Sequence, residues 1–213
     1  MERGHLAEFL RSSTRDLFGI PLADQQLEQL MIYLDQLKAW NASTNLTSIT
    51  VDEDIVVKHF IDSLAALSAD VISQGVKVLD VGSGAGFPGI PMKIVRPDLF
   101  VTLLEPAHKK ASFLHFVVGV LRLPGVSIVA ETLERFITER GGQFDYVVTR
   151  ALRYDIVLRF ARSLLKQGGK ILLYTSRPIA AEGRHDWSLV KEFQFDLPRQ
   201  GGKRVVSVLQ AAA

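Results

Sequence analysis

The residues from Val78 to Pro91 read VLDVGSGAGFPGIP: an apolar run, an acid, and then glycines at 82, 84, 86 and 89. Glycine reaches backbone conformations closed to other residues and lets a ligand approach the main chain, at an entropic cost on folding. Two binding patterns fit. Gly84, Gly86 and Gly89 match G-x-G-x-x-G, the dinucleotide fingerprint, while Gly82, Gly84 and Gly86 match G-x-G-x-G with Asp80 two residues ahead. Both patterns call for an acid at the end of the next strand to hold ribose hydroxyls, and Glu105 stands 23 positions after Gly82. Spacing alone leaves the two tied. Proline separates them. A pyrophosphate is held by free backbone N–H groups at a helix N-terminus, and Pro88 and Pro91 fall where that helix begins, each without an N–H. Phe87 adds apolar surface. A cofactor with a ribose, an adenine and an amino-acid tail but no phosphate suits this loop better, and S-adenosylmethionine is such a cofactor. A tight turn holding nothing would spend glycine entropy for no return in packing.

Cations gather by chain position near the same loop. Lys109 and Lys110 open the helix after the second strand, Arg150 and Arg153 follow the fourth, and Arg177 follows the fifth. Cations in a helix's first turn oppose its dipole by a few tenths of a kcal/mol, so a ligand is a reason to keep them. A basic rim around a cofactor cleft suits a phosphate-bearing substrate such as RNA. A second basic group, Arg199, Lys203 and Arg204, lies near the C-terminus and is the other candidate RNA surface. With no cysteine in the chain, thiolate catalysis, disulfides and cysteine-ligated metals are excluded.

These residues need a scaffold, and the pattern changes character near Gly75. Before it the periodicity is helical: His5–Phe18, then Asp24–Trp40 with Leu27, Leu30, Met31, Leu34 and Leu37 on one face. Thr50 and Glu53 have capping-box spacing ahead of a third helix carrying Ile55, Val56, Phe60, Leu64 and Leu67. After it, strands are expected at Lys77–Val81, Phe100–Glu105, Val126–Ala130, Phe144–Thr149 and Lys170–Thr175. Helical stretches such as Ala107–Leu123 and Tyr154–Lys166 separate them. Strand–helix alternation implies a parallel sheet covered on both faces. Leu189–Leu197 and Arg204–Gln210 flank PRQGGK with no room for a helix, and so pair antiparallel. The expected architecture is α/β: residues 1–75 form a helical extension, and residues 76–213 a Rossmann-like, mostly parallel sheet of seven strands with an antiparallel last strand.

The 213 residues carry 47% apolar and 23% charged side chains, the composition of an ordinary globular domain. No run approaches the ~18 apolar residues of a membrane span, and MERGHLAEFLRSS lacks the apolar core of a signal peptide. A cytoplasmic monomer with no membrane partner is the expectation. Net charge is +2, but residues 1–75 hold 5 Lys and Arg against 11 Asp and Glu, whereas residues 76–213 hold 20 against 12. The second part is therefore the one expected to face an anionic partner.

Five segments in order, WNASTNLTS (40–48), KHFIDSL (58–64), DVGSGAGFPGIP (80–91), LLEPAHKKASFL (103–114) and FDYVVTRAL (144–152), resemble the bacterial glucose-inhibited division protein B family over essentially the full length. The resemblance implies a class I methyltransferase acting at N7 of a guanine in 16S ribosomal RNA, near the decoding centre of the small ribosomal subunit. By position it implies cofactor contacts at Gly82, Phe87, Leu133, Glu134 and Arg150, with Glu105 on the ribose; the glycine motif itself adds Gly84 and Gly86, and no metal is expected. His59 and Asp62, three apart, either touch RNA or lock the extension onto the sheet. The segment SRPIAAEGRHDW after Tyr174 is shorter than the helix-rich stretch the family leads one to expect. N7 bears a lone pair and no proton, so transfer needs no base, and catalysis reduces to orienting and desolvating two reactants. TRAL stands where enzymes of exocyclic amino groups carry N/D-P-P-Y/F. The deep, narrow major groove of A-form RNA hides N7, so the target must be unpaired or flipped out, with Phe87 and Arg150 as candidate surfaces beside it. A nicotinamide-dependent oxidoreductase, a non-catalytic RNA-binding module and a methyltransferase of another RNA or non-RNA substrate are the competing classes.

Overall fold

Strands of Val, Leu and Ile buried on both faces force a sheet into the middle of the molecule, and the computed structural model has one, describing residues 2–70, 72–150, 154–180 and 186–212. The strands are β1 (Lys77–Val81), β2 (Phe100–Leu104), β3 (Val126–Val129), β4 (Phe144–Thr149), β5 (Leu165–Thr175), β6 (Trp187–Leu197) and β7 (Gly202–Ala211). Their order is β3-β2-β1-β4-β5-β7-β6. β1 to β5 pair in parallel, and β7 enters antiparallel between β5 and β6. Strand order reverses between β1 and β4, which is where a doubly wound sheet opens a crevice at its carboxyl edge.

The helices are α1 (Arg3–Phe18), α2 (Asp24–Thr44), α3 (Asp52–Ile55), α4 (Asp62–Leu64), α5 (Ala66–Ala69), α6 (Gly89–Val95), α7 (His108–Val120), α8 (Leu133–Glu139) and α9 (Tyr154–Leu164), with a π-helical stretch at Val56–Ile61 between α3 and α4. The expected apolar stripe of α2 is buried, and it joins one continuous core reaching from Leu6 and Leu10 through Phe60, Ile90 and Phe113 to Val206. Polar ties fix α2 across two helices of the sheet layer: Gln26 Nε2 donates to the Val95 carbonyl (3.0 Å) and Gln29 Nε2 to that of Leu121 (3.1 Å). The opposite face of the sheet packs on α8 and α9 through Phe136, Val157, Leu158 and Leu164.

Three local expectations change. α2 runs past Trp40 to Thr44 and stops at Asn45, whose φ of 51° is left-handed, a conformation asparagine tolerates. The capping box does not form: α3 starts at Asp52 after Val51, and no side chain caps it. β5 begins at Leu165, directly after α9, rather than at Lys170.

Candidate active site

The glycine loop leaves β1 at the crevice and is held from three sides. Gly82, Gly84 and Gly86 have φ of 72°, 60° and 102°, positive values that glycine takes at no steric cost. From below, the Leu104 carbonyl at the end of β2 accepts from the N–H groups of Gly82 (2.9 Å) and Ser83 (3.1 Å). From the side, Glu105 accepts from the N–H of Gly84 at Oε2 (2.8 Å) and from that of Ala107 at Oε1 (3.0 Å). From α2, the buried phenol of Tyr33 donates to the Ala85 carbonyl. A methyl group at Gly86 would stand 2.7 Å from that phenol oxygen and 2.5 Å from Ile90 Cδ1, and one at Gly89 would stand 2.8 Å from Asp80 Oδ2. These two glycines are therefore packing requirements, as well as turn residues.

The backbone donors settle what the loop offers a ligand. Gly86 and Phe87 donate to the Ser83 carbonyl, Ile90 to that of Gly86 and Met92 to that of Pro88. Gly89 donates to the Asp80 carboxylate (2.8 Å), and Pro88 and Pro91 have no N–H. From Gly86 to Met92 every N–H is absent or already used, so no pyrophosphate cradle exists at the start of α6. Two buried polar atoms nearby, Ser83 Oγ and Asp80 Oδ1, have no hydrogen-bond partner among the described residues. Burial also pushes the Asp80 carboxyl up to about 7, since desolvation disfavours its charged form.

Opposite the loop stands a wall built by the H-x-x-D segment and the end of β4. Arg150 donates to the Lys58 carbonyl (2.9 Å) and Asp62 Oδ2 (3.1 Å) from one terminal nitrogen and to His59 Nδ1 (3.1 Å) from the other. His59 Nδ1 must accept there, so the ring is neutral and its Nε2–H donates to Thr47 Oγ1 (3.0 Å). Burial, then the Arg150 charge, pushes His59 down to about 3. Burial raises the Asp62 carboxyl while Arg150 and Arg204 oppose that rise, the Arg204 Nε lying 3.6 Å from Oδ1. His59 and Asp62 thus tie the extension to Arg150 at the end of β4. Phe87 is enclosed by the same assembly. Its ring stacks on Tyr33 (5.2 Å, 17°) and on His59 (4.5 Å, 12°), and it is only 4% exposed. With both faces covered it cannot stack a target base, contrary to that expectation.

Loop and wall enclose a cleft of about 160 Å³ lined by Thr47, His59, Ser83, Ala85, Phe87 and Arg150 among others. A second cleft of about 600 Å³ adjoins it towards β5 and β7 and shares His59 and Arg150 with it. Leu133 and Glu134 open α8 at the carboxyl end of β3, the first buried among Leu79, Val81 and Leu104 and the second exposed; neither borders either cleft. Lys109, exposed, and Lys110, half-buried, stand in the first turn of α7. Arg177 and Arg204 border the larger cleft. Arg199 sits in the β6–β7 turn, 4.6 Å over the ring of Phe9, and Lys203 is exposed beside it. Arg153 lies outside the described residues.

A family model described as "GidB: rRNA small subunit methyltransferase G" matches residues 26–195. The chain belongs to this family. Its relatives include Ribosomal RNA small subunit methyltransferase G of Desulfitobacterium hafniense, 43% identical over 78% of this chain and 69% of that protein. The protein of the same name from Lachnoclostridium phytofermentans is 39% identical over 87% of this chain and 75% of its own. Among solved structures, MtNAS in complex with MTA and tNA covers 100% of this chain and 90% of that one at a TM-score of 0.62 and 13% identity. TrmN from Thermus thermophilus covers 74% and 48% at 0.57 and 19%. The fold is the Rossmann-like fold of class I methyltransferases. Within that fold, the sequence of this GidB-family chain left two site residues unmarked. Tyr33 reads as one more apolar position on the buried stripe of α2, and Thr47 as part of a polar loop. The NLT segment of the resemblance contained Thr47, but spacing could not show that it partners a histidine twelve residues on.

Proposed function

We propose that the protein transfers a methyl group from S-adenosylmethionine to N7 of a guanine in 16S ribosomal RNA, within the small ribosomal subunit. Membership of the GidB family supports the reaction and the substrate. The observation that carries the cofactor is the loop's spent donors: a dinucleotide would find no N–H for its pyrophosphate between Gly86 and Met92, whereas a phosphate-free ligand needs none. The residues present suit such a group. Ser83 Oγ, buried without a partner among the described residues, borders the smaller cleft and would serve the amino-acid end. Glu105 uses one hydrogen bond on each oxygen, and a carboxylate has about four acceptor sites, so it would keep acceptor capacity for ribose hydroxyls, although it is buried and borders neither cleft. The 160 Å³ cleft is smaller than the ~300 Å³ at which whole-ligand pockets begin. It would suit the amino-acid end, with Glu105 and the residues that open α8 left to hold the nucleoside end.

Bound S-adenosylmethionine supplies an electrophilic methyl group on a sulfonium. The chain's own part is positional. The loop is fixed by Tyr33, Leu104 and Glu105 before anything binds, and the wall is fixed by Arg150. His59 is neutral with both ring nitrogens engaged, so it takes no proton, and N7 has none to give. Orientation and exclusion of water are what remain, and they are worth up to ~11 kcal/mol of a barrier. The test is to incubate the protein with methyl-labelled S-adenosylmethionine and small subunits from a strain lacking the gene. Label in 16S ribosomal RNA is expected; binding of NADH with no label in RNA would overturn the reading.

A further inference from the structure

The larger cleft, which shares His59 and Arg150 with the smaller one, has a lining that differs in kind from that of the glycine loop. Lys58, Arg150, Arg177 and Arg204 border it against one carboxylate, Asp62, which is already held by Arg150 and faced by Arg204. Lys58 is drawn outward to Asp54 (3.1 Å). Arg177 is exposed and has no ion pair among the described residues. Between these cations the lining turns apolar, with Ile49, Tyr154, Pro178 and Ile179. Phosphate outside and an aromatic ring inside is the chemistry of a single nucleotide. At about 600 Å³ the cleft falls inside the ~300–1,000 Å³ range of ligand sites.

We infer that this cleft receives the target nucleotide, unstacked from its RNA, with the base among Ile49, Tyr154 and Ile179, its phosphates on Arg177 and Arg204, and N7 turned to the wall shared with the cofactor cleft. This rests on the methyltransferase reading above and deepens it. The two clefts share His59 and Arg150, so they adjoin at these side chains, and a donor in one and an acceptor in the other can meet along that common edge, where transfer needs the reacting atoms about 3–3.5 Å apart. The C–S bond breaks as the C–N bond forms, the sulfur keeps its electron pair, and the base takes the positive charge. The wall itself is immobilised by four hydrogen bonds, to the Lys58 carbonyl, Asp62, His59 and Thr47. Extrusion is required in any case, because N7 of a paired guanine lies in a groove too deep and narrow to reach.

Filling the cleft tests this. Ser176 borders it and is exposed, so Ser176→Trp adds bulk without disturbing the core. The variant should bind S-adenosylhomocysteine within about twofold of wild type by calorimetry. Its single-turnover methylation of small subunits from the deletion strain should fall by about 100-fold, the usual cost of misplacing a reactant by an ångström. Arg177→Ala, equally exposed, should weaken subunit binding and lower its log–log salt slope by about 1. Unchanged methylation by Ser176→Trp would show that the nucleotide enters elsewhere. Loss of S-adenosylhomocysteine binding with an unchanged melting temperature would make the cleft part of the cofactor site and equally overturn the proposal. Wild type run beside the variants separates the two levels: if it labels no RNA, the methyltransferase reading fails, and this inference falls with it.

Discussion

Glu105 does two things at once, and a substitution can tell them apart. Its carboxylate fastens Gly84 and Ala107 and retains acceptor capacity for a ribose. Glu105→Ala should weaken S-adenosylmethionine binding by roughly 1–3 kcal/mol, the cost of losing a charge-assisted hydrogen bond. Calorimetry that finds a lowered melting temperature with unchanged affinity would leave Glu105 as a loop anchor only. Asp80 gives a pH prediction. Its carboxyl is raised to about 7 from ~3.9 in the unfolded chain, so between those values the native state holds a proton that the unfolded state lacks. Stability from this group is full below about pH 4 and is lost as pH rises through 7. Asp80→Asn keeps an oxygen for the Gly89 N–H, so its stability relative to wild type should climb across that window in urea titrations. A pH-independent difference would mean that Asp80 is ionised throughout. His59, pushed down to about 3, stays neutral from pH 6 to 9. With both reactants saturating, His59 should give the single-turnover rate no pH dependence over that range; a change centred near 7 that Asp80→Asn abolishes would come from the glycine loop, and a bell-shaped profile would reveal an acid or base that N7 transfer does not need.

The extension acts on the active site through α2 and the π-helical stretch. Tyr33 is fully buried and reaches from α2 to the glycine loop, so Tyr33→Phe strands the Ala85 carbonyl. An unsatisfied buried acceptor costs about 1–3 kcal/mol, and the looser loop should also bind S-adenosylmethionine less tightly. Equal affinity by calorimetry would show that the loop holds its shape without α2. The strands themselves were plain from sequence: β1 and β4 have the expected bounds, because short Val- and Leu-rich runs between turn residues have few alternatives. The third helix was not. Apolar spacing locates buried residues but cannot reveal that Val56–Ile61 winds as a π-helix. Nor does it show that the Lys58 carbonyl serves an arginine 92 residues away. The capping-box spacing at Thr50 and Glu53 misled for a related reason, since the chain enters the helix at Asp52 without using it.

Over the whole molecule, the acidic extension and the basic sheet meet at the wall, where Asp62 holds Arg150 at 3.1 Å and faces Arg204 at 3.6 Å. Lys109 and Lys110 stand in the first turn of α7, and Lys203 is exposed at the start of β7. Replacing Lys109 and Lys110 together by Ala should weaken small-subunit binding and reduce its log–log salt slope by up to ~2, with cofactor affinity unchanged; an unaltered slope would move RNA to the hairpin. The loop was legible where chemistry is local, in glycines with positive φ and prolines without an N–H, whereas spacing did not show that Glu105 fastens Gly84 and Ala107. It was hidden where it depends on tertiary contact, as with Phe87, which reads as a surface aromatic beside a loop yet lies sandwiched between Tyr33 and His59. The central claim concerns one atom, so the most direct measurement locates the methyl group. Small subunits from the deletion strain, treated with the protein and S-adenosylmethionine, should yield 16S ribosomal RNA that borohydride and aniline cleave at one new guanine, because a methyl on N7 makes the ring cationic and reducible. Label that enters the RNA without creating that cleavage would place the methyl on another atom and contradict the account.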